Sequence, residues 1–329
     1  MKLLMISTDR SIFQEGSAVR ARMIERAKEY EELHIIVFAG KSDTKEAVIA
    51  PNCWAYSTES FSQYMYPFDA IKLGRFIIEK RGVTDITCQD PFLTAMAGVS
   101  LKKQFKNIQL EIQVHTDIGS PNFTYSLGNK IRKMLALNYI PKADSIRVVS
   151  NRIKDYLIKT LKSSMDIIVK PISVNVEWIK SAPITFDLHK KYPQFTKIVF
   201  MASRLEREKD IALAIKAWPE VIKKIPMAGL LIVGSGSEEI KLKSLAGSCN
   251  NIIFESWANK ETLASYYKTA DLLLSTSLYE GYGLTFIEAK AVGCKIVSTD
   301  VGIAREAGAF IVGYNKKNVA EVIVQTLNS

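Results

Sequence analysis

Histidine and cysteine are scarce: three His and four Cys in 329 residues. Cys53, Cys88, Cys249 and Cys294 are widely spaced, with no C-x-x-C pair and no clustered His, so neither a disulfide framework nor a zinc site is indicated, and buried thiols are expected. Seventeen Gly and ten Pro leave no room for a collagen-like or low-complexity array. Long apolar runs are missing too. Stretches such as Ile198–Ala202 and Leu230–Val233 fall far short of the roughly 20 residues of a spanning helix. The amino terminus reads Met-Lys and then Leu3–Ile6 before Ser-Thr-Asp-Arg, too short for a secretory signal, so a cytoplasmic protein is expected.

What is present is an ordinary globular composition, 47% hydrophobic and 24% charged, at a length that suggests two domains at roughly 150 residues each. Forty-four Lys and Arg against 34 Asp and Glu give a net charge of +10. That excess favours an anionic partner: nucleic acid, a phosphorylated small molecule or an acidic membrane face.

Short Ile- and Val-rich runs alternate with segments of helical period, the pattern of βαβ units on a parallel sheet. The pattern occurs twice. Strands are expected at Leu3–Ile6, His34–Phe38, Asp85–Cys88, Leu110–Val114, Ser145–Val149 and Ile167–Val169. A second set follows at Lys197–Met201, Leu230–Val233, Ile252–Phe254, Asp271–Leu274, Lys295–Ser298 and Phe310–Val312. Ser17 caps an amphipathic helix from Ala18 to Tyr30 that shows Val19, Met23, Ile24 and Ala27 on one stripe. Asn175 to Thr196 is polar, contains proline and lacks clear period. The reading is therefore an α/β chain of two Rossmann-like, doubly wound parallel-sheet domains, 1–174 and 175–329, facing a cleft. In such sheets ligands bind beyond the carboxyl ends of strands, so the loops there should carry the chemistry.

The most informative loop follows Asp271–Leu274 and runs from Ser275 through Glu280, Gly281, Gly283, Leu284, Thr285 and Glu288 to Gly293. Gly281 and Gly283 let the backbone bend toward a ligand, and a helix starting near Leu284 aims unpaired N–H groups at it, which suits an anion. Glu288, just over one turn into that helix, suits a vicinal diol such as a ribose. The plainer alternative is a helix start with a dipole-satisfied carboxylate. A second loop, Ala202 to Asp210, offers Arg204 and Lys209 as a pyrophosphate clamp, with solvated charges beside Glu206 and Glu208 as the alternative. Val233-Gly-Ser-Gly236-Ser lacks the third glycine of a dinucleotide fingerprint and reads better as a tight strand-to-helix turn.

Taken in order, Ala202-Ser-Arg204-Leu-x-x-x-Lys209, Val233-Gly-Ser-Gly236, the E-x7-E pair Glu280 and Glu288, Ala289, Gly293 and Ser298-Thr-Asp-Val-Gly302 resemble glycosyltransferase family 4. The first half is similar more loosely, through Gln89-Asp90-Pro91-Phe92, Val114-His115-x-Asp117 and Ala143-Asp144-x-x-Arg147-Val-Val-Ser150. The resemblance implies the two-domain GT-B fold and a retaining transfer from a nucleotide-diphosphate sugar, a UDP- or GDP-sugar, with no other cofactor. It further implies that Arg204 and Lys209 hold the pyrophosphate, Glu280 meets the donor sugar, Glu288 holds the ribose, and Gly283, Leu284 and Thr285 complete the phosphate cradle. His115 matches a position facing the donor sugar; its plainer alternative is an imidazole satisfied within its loop. Gly16, followed by Ser17, stands where many relatives carry paired glycines, and is placed with the donor-binding set. Relatives commonly end on a helix crossing back to the first domain, whereas this sequence reaches Ser329 soon after a helix expected over Lys317–Leu327.

No two Asp residues are separated by one residue, so Arg204, Lys209 and a helix N-terminus take the place of a metal ion, and none is expected. Three other classes are weighed: a GT-B sugar-nucleotide epimerase, against which the E-x7-E pair argues; a nicotinamide dehydrogenase, which fails on the glycine pattern; and a nucleic-acid binder, for which the basic residues are too dispersed. Two basic, aromatic, amphipathic stretches, Phe61–Arg81 and Tyr125–Lys142, suit an anionic bilayer, with ordinary sheet-covering helices as the alternative. Together these imply an enzyme acting on a saccharide or lipid-linked glycan in polysaccharide or glycolipid synthesis, peripheral on the inner face of the cell membrane.

Overall fold

The computed structural model describes residues 1–41, 46–161 and 166–329. They form two units, Met1–Lys170 and Pro171–Ser329, each built on its own sheet.

The first unit alternates β1 (Lys2–Ser7), α1 (Ala18–Ala27), β2 (Glu32–Val37), β3 (Glu46–Ala50), β4 (Cys53–Ser57), α2 (Tyr66–Arg81), β5 (Asp85–Cys88), α3 (Leu93–Gln104), β6 (Gln109–Val114), α4 (Leu127–Tyr139), β7 (Ser145–Val148), α5 (Asn151–Leu161) and β8 (Asp166–Val169). The sheet order is β3-β4-β2-β1-β5-β6-β7-β8, parallel except for β3. The sequence reading missed β3 and β4. They form an antiparallel pair across Pro51-Asn52, and β4 then joins β2 in parallel. Ser17 caps α1 by accepting from the Arg20 amide, and Val19, Met23 and Ala27 pack on Leu3, Met5, Leu33 and Ile35. On the other face α3 lies so close that a Cβ at Gly98 would sit 2.3 Å from Cys88 Sγ.

The second unit begins with two short helices, α6 (Val176–Ser181) and α7 (Leu188–Lys191), in the segment that showed no clear period. Asn175 and Asp187 cap them through their side chains. Then follow β9 (Lys197–Ala202), α8 (Ile211–Lys224), β10 (Ala228–Val233), α9 (Glu239–Ala246), β11 (Ile252–Glu255), α10 (Lys260–Thr269), β12 (Leu272–Ser275), α11 (Leu284–Ala291), β13 (Lys295–Thr299), β14 (Phe310–Val312) and α12 (Lys316–Asn328). All strands are parallel in the order β11-β10-β9-β12-β13-β14, the Rossmann arrangement that reverses direction between β9 and β12. Strand alternation sends Val199 and Met201 to a core with Trp218 of α8 and Ile323 of α12, and Ile198 and Phe200 to one with Tyr266, Tyr267 and Phe286 of α10 and α11. Each fully buried large side chain contributes about 1.5–3 kcal/mol.

The expected buried thiols are found at Cys53 and Cys88, whereas Cys249 and Cys294 are half-buried; all four are free. No described helix is long and apolar enough to cross a membrane.

Candidate functional site

In the second unit the order reversal between β9 and β12 leaves the loops that follow these two strands side by side. They are joined at several points. The Leu278 amide donates to the Glu208 carbonyl at 2.8 Å, and Thr276 Oγ1 donates to the Asp210 carbonyl at 2.9 Å. Between the same loops, Lys209 Nζ meets Glu280 Oε1 at 2.5 Å, and Ser277 Oγ donates to that oxygen at 2.8 Å. Asp210 is held in the left-handed region at φ 41°, a strain of about 1–3 kcal/mol for a non-glycine residue. The structure thus brings Lys209 and Glu280 together, and adds Ser277, Thr276 and Asp210, which the sequence reading did not single out.

A third loop, after β13, braces the second. Thr299 Oγ1 donates to the Ser277 carbonyl at 2.6 Å and the Ile303 amide to the Tyr282 carbonyl at 2.9 Å. Gly302, at φ 51°, permits this approach: a Cβ there would lie 2.3 Å from the Tyr282 carbonyl oxygen. Of the two glycines expected to bend the backbone, Gly283 does so through a positive φ of 93°, as the residue before α11; Gly281 has no positive φ. The first-turn amides of Leu284 and Thr285 meet no acceptor among the described residues, so they remain available to an anion at the helix start.

Glu288, one turn further on, is half-buried and accepts from the Tyr267 hydroxyl at 2.7 Å. Burial raises its carboxyl pKa, while the Tyr267 hydrogen bond opposes the shift. Tyr267 thereby engages one of the two carboxylate oxygens. Arg204 stands apart from the Lys209–Glu280 pair: it is 66% exposed and meets Glu208 at 2.9 Å. Such an exposed pair is worth ~0–1 kcal/mol, so a stronger anion can take the guanidinium over. Glu206, which the sequence allowed to be a solvated charge, instead accepts the Ser237 amide at 3.0 Å and the Ser237 hydroxyl at 2.7 Å. It pins the Arg204–Lys209 loop to the Gly-Ser-Gly turn, where a Cβ at Gly234 or Gly236 would lie 1.9 Å from the Ser203 or 2.4 Å from the Leu205 carbonyl oxygen. These two glycines are spent on loop-to-loop packing.

In the first unit His115 follows β6 at the end of a directed hydrogen-bond chain. The Glu111 carboxylate can only accept, so Thr87 Oγ1 donates to it at 2.6 Å. Thr87 Oγ1 in turn accepts from Gln113 Nε2 at 2.7 Å, which leaves Gln113 Oε1 to accept from His115 Nε2 at 2.9 Å. His115 therefore carries its proton on Nε2 and keeps Nδ1 as an acceptor. Desolvation first, and then the Arg147 guanidinium, pushes its pKa down to about 4, although the residue as a whole is exposed, and the ring is neutral at physiological pH. Gly16 sits just ahead of the Ser17 cap at φ 74°, with nothing within 4 Å of where a Cβ would be. Among the described residues no group of three His, Cys, Asp or Glu side chains is placed to hold a metal ion.

The chain as a whole has similar sequences and similar folds among known proteins. Residues 187–328 match the family model of group 1 glycosyl transferases. The chain is 28% identical over 244 residues to an uncharacterized glycosyltransferase of Methanocaldococcus jannaschii, covering 70% of this chain and 60% of that protein. It is 25% identical over 255 residues to the alpha-monoglucosyldiacylglycerol synthase of Streptococcus pneumoniae, covering 70% of this chain and 57% of the relative. It thus spans less than two thirds of these relatives' own length. In three dimensions it resembles sucrose-phosphate synthase of Thermosynechococcus elongatus, with a TM-score of 0.79 at 19% identity over 100% of this chain and 90% of that one. Anabaena HepE, solved with UDP and glucose, gives a TM-score of 0.73 at 17% identity over 100% and 90% of the two chains. These likenesses show the fold, GT-B.

Proposed function

We propose that the protein transfers a sugar, with retention, from a UDP- or GDP-sugar to a saccharide or lipid-linked acceptor, without a metal ion. The observation that carries this reading is the Lys209–Glu280 pair at 2.5 Å, seated where the second sheet reverses and ahead of the open start of α11. The donor's diphosphate takes Lys209 from Glu280, recruits Arg204 from Glu208, and accepts from the Leu284 and Thr285 amides. Glu280, released, meets the sugar hydroxyls, and Glu288, oriented by Tyr267, accepts from the ribose diol. Charge developing on the departing diphosphate is thereby met by fixed donors, the effect that dominates such reactions.

The bond between the anomeric carbon and the phosphate oxygen breaks while the acceptor oxygen bonds to the same face of that carbon. The leaving phosphate oxygen takes the acceptor's proton. For the first unit we assign the acceptor side, with Gly16 beside the donor and neutral His115 accepting a sugar hydroxyl through Nδ1. Two named relatives, the alpha-monoglucosyldiacylglycerol synthase above and the phosphatidyl-myo-inositol mannosyltransferase of Mycobacterium leprae, support a membrane lipid as acceptor class. The basic stretches Phe61–Arg81 and Tyr125–Lys142 then hold the enzyme peripherally on the cytoplasmic face.

The test is transfer from a panel of UDP- and GDP-sugars to diacylglycerol or phosphatidylinositol in anionic vesicles, in excess chelator, with product anomeric configuration read by NMR. An α-linked product formed from an α-linked donor in chelator is expected. Inverted product overturns retention, loss restored by a divalent cation overturns metal independence, and turnover of no sugar nucleotide overturns the assignment.

A further inference from the structure

The first unit has its own reversal point, between β1 and β5, and a cavity of about 490 Å³ opens there, within the ~300–1,000 Å³ usual for small-molecule sites. Its walls are apolar: Phe68 from the start of α2, Leu93 and Met96 from α3, and Ile131 from α4. Three of these are uncovered, Phe68 at 52%, Ile131 at 47% and Leu93 at 38% exposure. Water against so much apolar surface at a strand-end cavity favours a ligand with a hydrocarbon part.

Among its polar groups are two cations, Arg10 and Arg132, and one carboxylate, Asp90. Arg10 follows β1; its Nε donates to the Phe38 carbonyl at 3.1 Å and its Nη2 to the Tyr66 hydroxyl at 2.7 Å. Those two bonds fix the guanidinium and leave three of its five N–H groups for a ligand. Arg132 of α4 lies 5.7 Å from the centre of the Phe92 ring, and no acceptor among the described residues holds its N–H groups. The cavity's one carboxylate, Asp90, accepts from the Phe92 amide at 2.7 Å; burial raises its pKa, and the backbone amide and the nearby Arg132 guanidinium oppose that shift. Two guanidinium forks with spare donors beside hydrocarbon walls match an oxyanion on an apolar stem.

We propose that this cavity binds a phosphate-bearing amphiphile, its chain against Phe68, Leu93, Met96 and Ile131 and its phosphate on Arg10 and Arg132. The proposal rests on the reading of the first unit as the acceptor side and narrows the acceptor to an anionic lipid. The site is distinct from the donor groups on Lys209, Glu280 and α11, all in the second unit.

The experiment is calorimetric titration of the full chain with monomeric dodecyl phosphate below its micellar concentration. Dodecyl maltoside serves as the uncharged chain and inorganic phosphate as the head without a chain. Saturable one-to-one binding of dodecyl phosphate is expected, at least tenfold tighter than either control. Arg132→Gln should weaken dodecyl phosphate at least fivefold and leave dodecyl maltoside unchanged. Leu93→Trp should weaken both chains, with circular dichroism confirming that each variant is folded. Equal affinity for the two chains reduces the cavity to an apolar patch and overturns the proposal. So does inorganic phosphate binding as tightly as the amphiphile, and so does binding to anionic phosphatidylglycerol vesicles without binding of the monomer. Donor turnover, measured in parallel, separates this proposal from the functional reading: amphiphile binding without any sugar-nucleotide turnover sinks the transferase and the acceptor role that rests on it, and leaves the cavity as a site for a phosphate-bearing amphiphile.

Discussion

The two units share a parallel core whose strand order reverses at its centre, to which the first adds antiparallel β3 and a further strand β8, and they differ at the ends of their strands. Where the second sheet reverses, the loops carry ion pairs and hydroxyls: Lys209 with Glu280, Ser277 on the same carboxylate, Arg204 with Glu208. Where the first reverses, the loops together with α2, α3 and α4 carry aromatic and aliphatic walls with two arginines and one engaged aspartate. The contrast lies in the side chains that each unit places beyond its central strands. Strand ends lined with paired charges suit exchange of partners with an anion. Strand ends left apolar suit a hydrocarbon group. The scaffold is therefore indifferent to chemistry, and the strand-end loops are where function is to be sought.

The largest expected effect breaks the charged half of this contrast. Lys209→Ala removes the cation and strands Glu280, and should lower kcat for transfer by about 100- to 1,000-fold, as loss of one fixed donor to a developing charge does. Arg204→Ala should act in the same direction. Wild-type turnover in both, with native circular dichroism, would remove the clamp from the mechanism.

A step smaller is Gly302→Ala. The added Cβ meets the Tyr282 carbonyl at 2.3 Å, backbone rather than a movable side chain, at a positive φ. Unfolding in urea should report a loss of about 1–3 kcal/mol, the range for such strain, and calorimetry a weaker nucleoside diphosphate. Gly16→Ala, with empty space around it in the first unit, should cost less; equal losses would show that loop bracing is not special to the second unit.

Glu288→Gln and Glu280→Gln sharpen the picture within one loop. The first should weaken bare UDP or GDP by about tenfold, the second should leave that affinity and lower kcat, because a group used only on the sugar acts in the chemical step. Equal affinity losses in titration calorimetry contradict the division of roles.

The smallest effect lies in the first unit. Nitrogen NMR of the imidazoles should find His115 neutral and protonated on Nε2 down to about pH 4, and Gln113→Leu should mix the tautomers while kcat falls only a few-fold. The sign of the linked stability follows. Between the ordinary 6.5 and about 4 the unfolded chain takes up a proton that the folded ring refuses, so stability falls as pH drops through that window. His115→Asn should flatten that part of the profile. A wild-type His115 protonated on Nδ1 would break the Glu111–Thr87–Gln113 chain as its cause.

Much of the architecture was legible because it rests on local pattern. Runs such as Leu230–Val233 are buried on both faces and read as continuous apolar strands; Ser17 sits where a cap belongs; Gly283 marks the turn into α11. The pair β3 and β4 escaped because Glu46–Ala50 is short, mixed in polarity and at the sheet edge, where one row of hydrogen bonds is enough. The short helices α6 and α7 escaped because side-chain caps, rather than an apolar stripe, define them. Glu206 looked like a surface charge because its partner, Ser237, lies 31 positions away.

By itself the sequence determined two α/β halves, their strand-end loops and the residue types able to hold a diphosphate and a diol, since those depend on period, spacing and side-chain chemistry alone. Tertiary structure decided the partners. That Glu280 holds Lys209, 71 positions away, and that Tyr267 orients Glu288 follow from strand order, which sets β9 beside β12 and α10 beside α11. The tautomer of His115 likewise depends on β5 lying next to β6, which brings Thr87 to Glu111 and Gln113. Hydrogen bonds act over about 3 Å, and only the folded chain brings residues so distant in sequence within that reach.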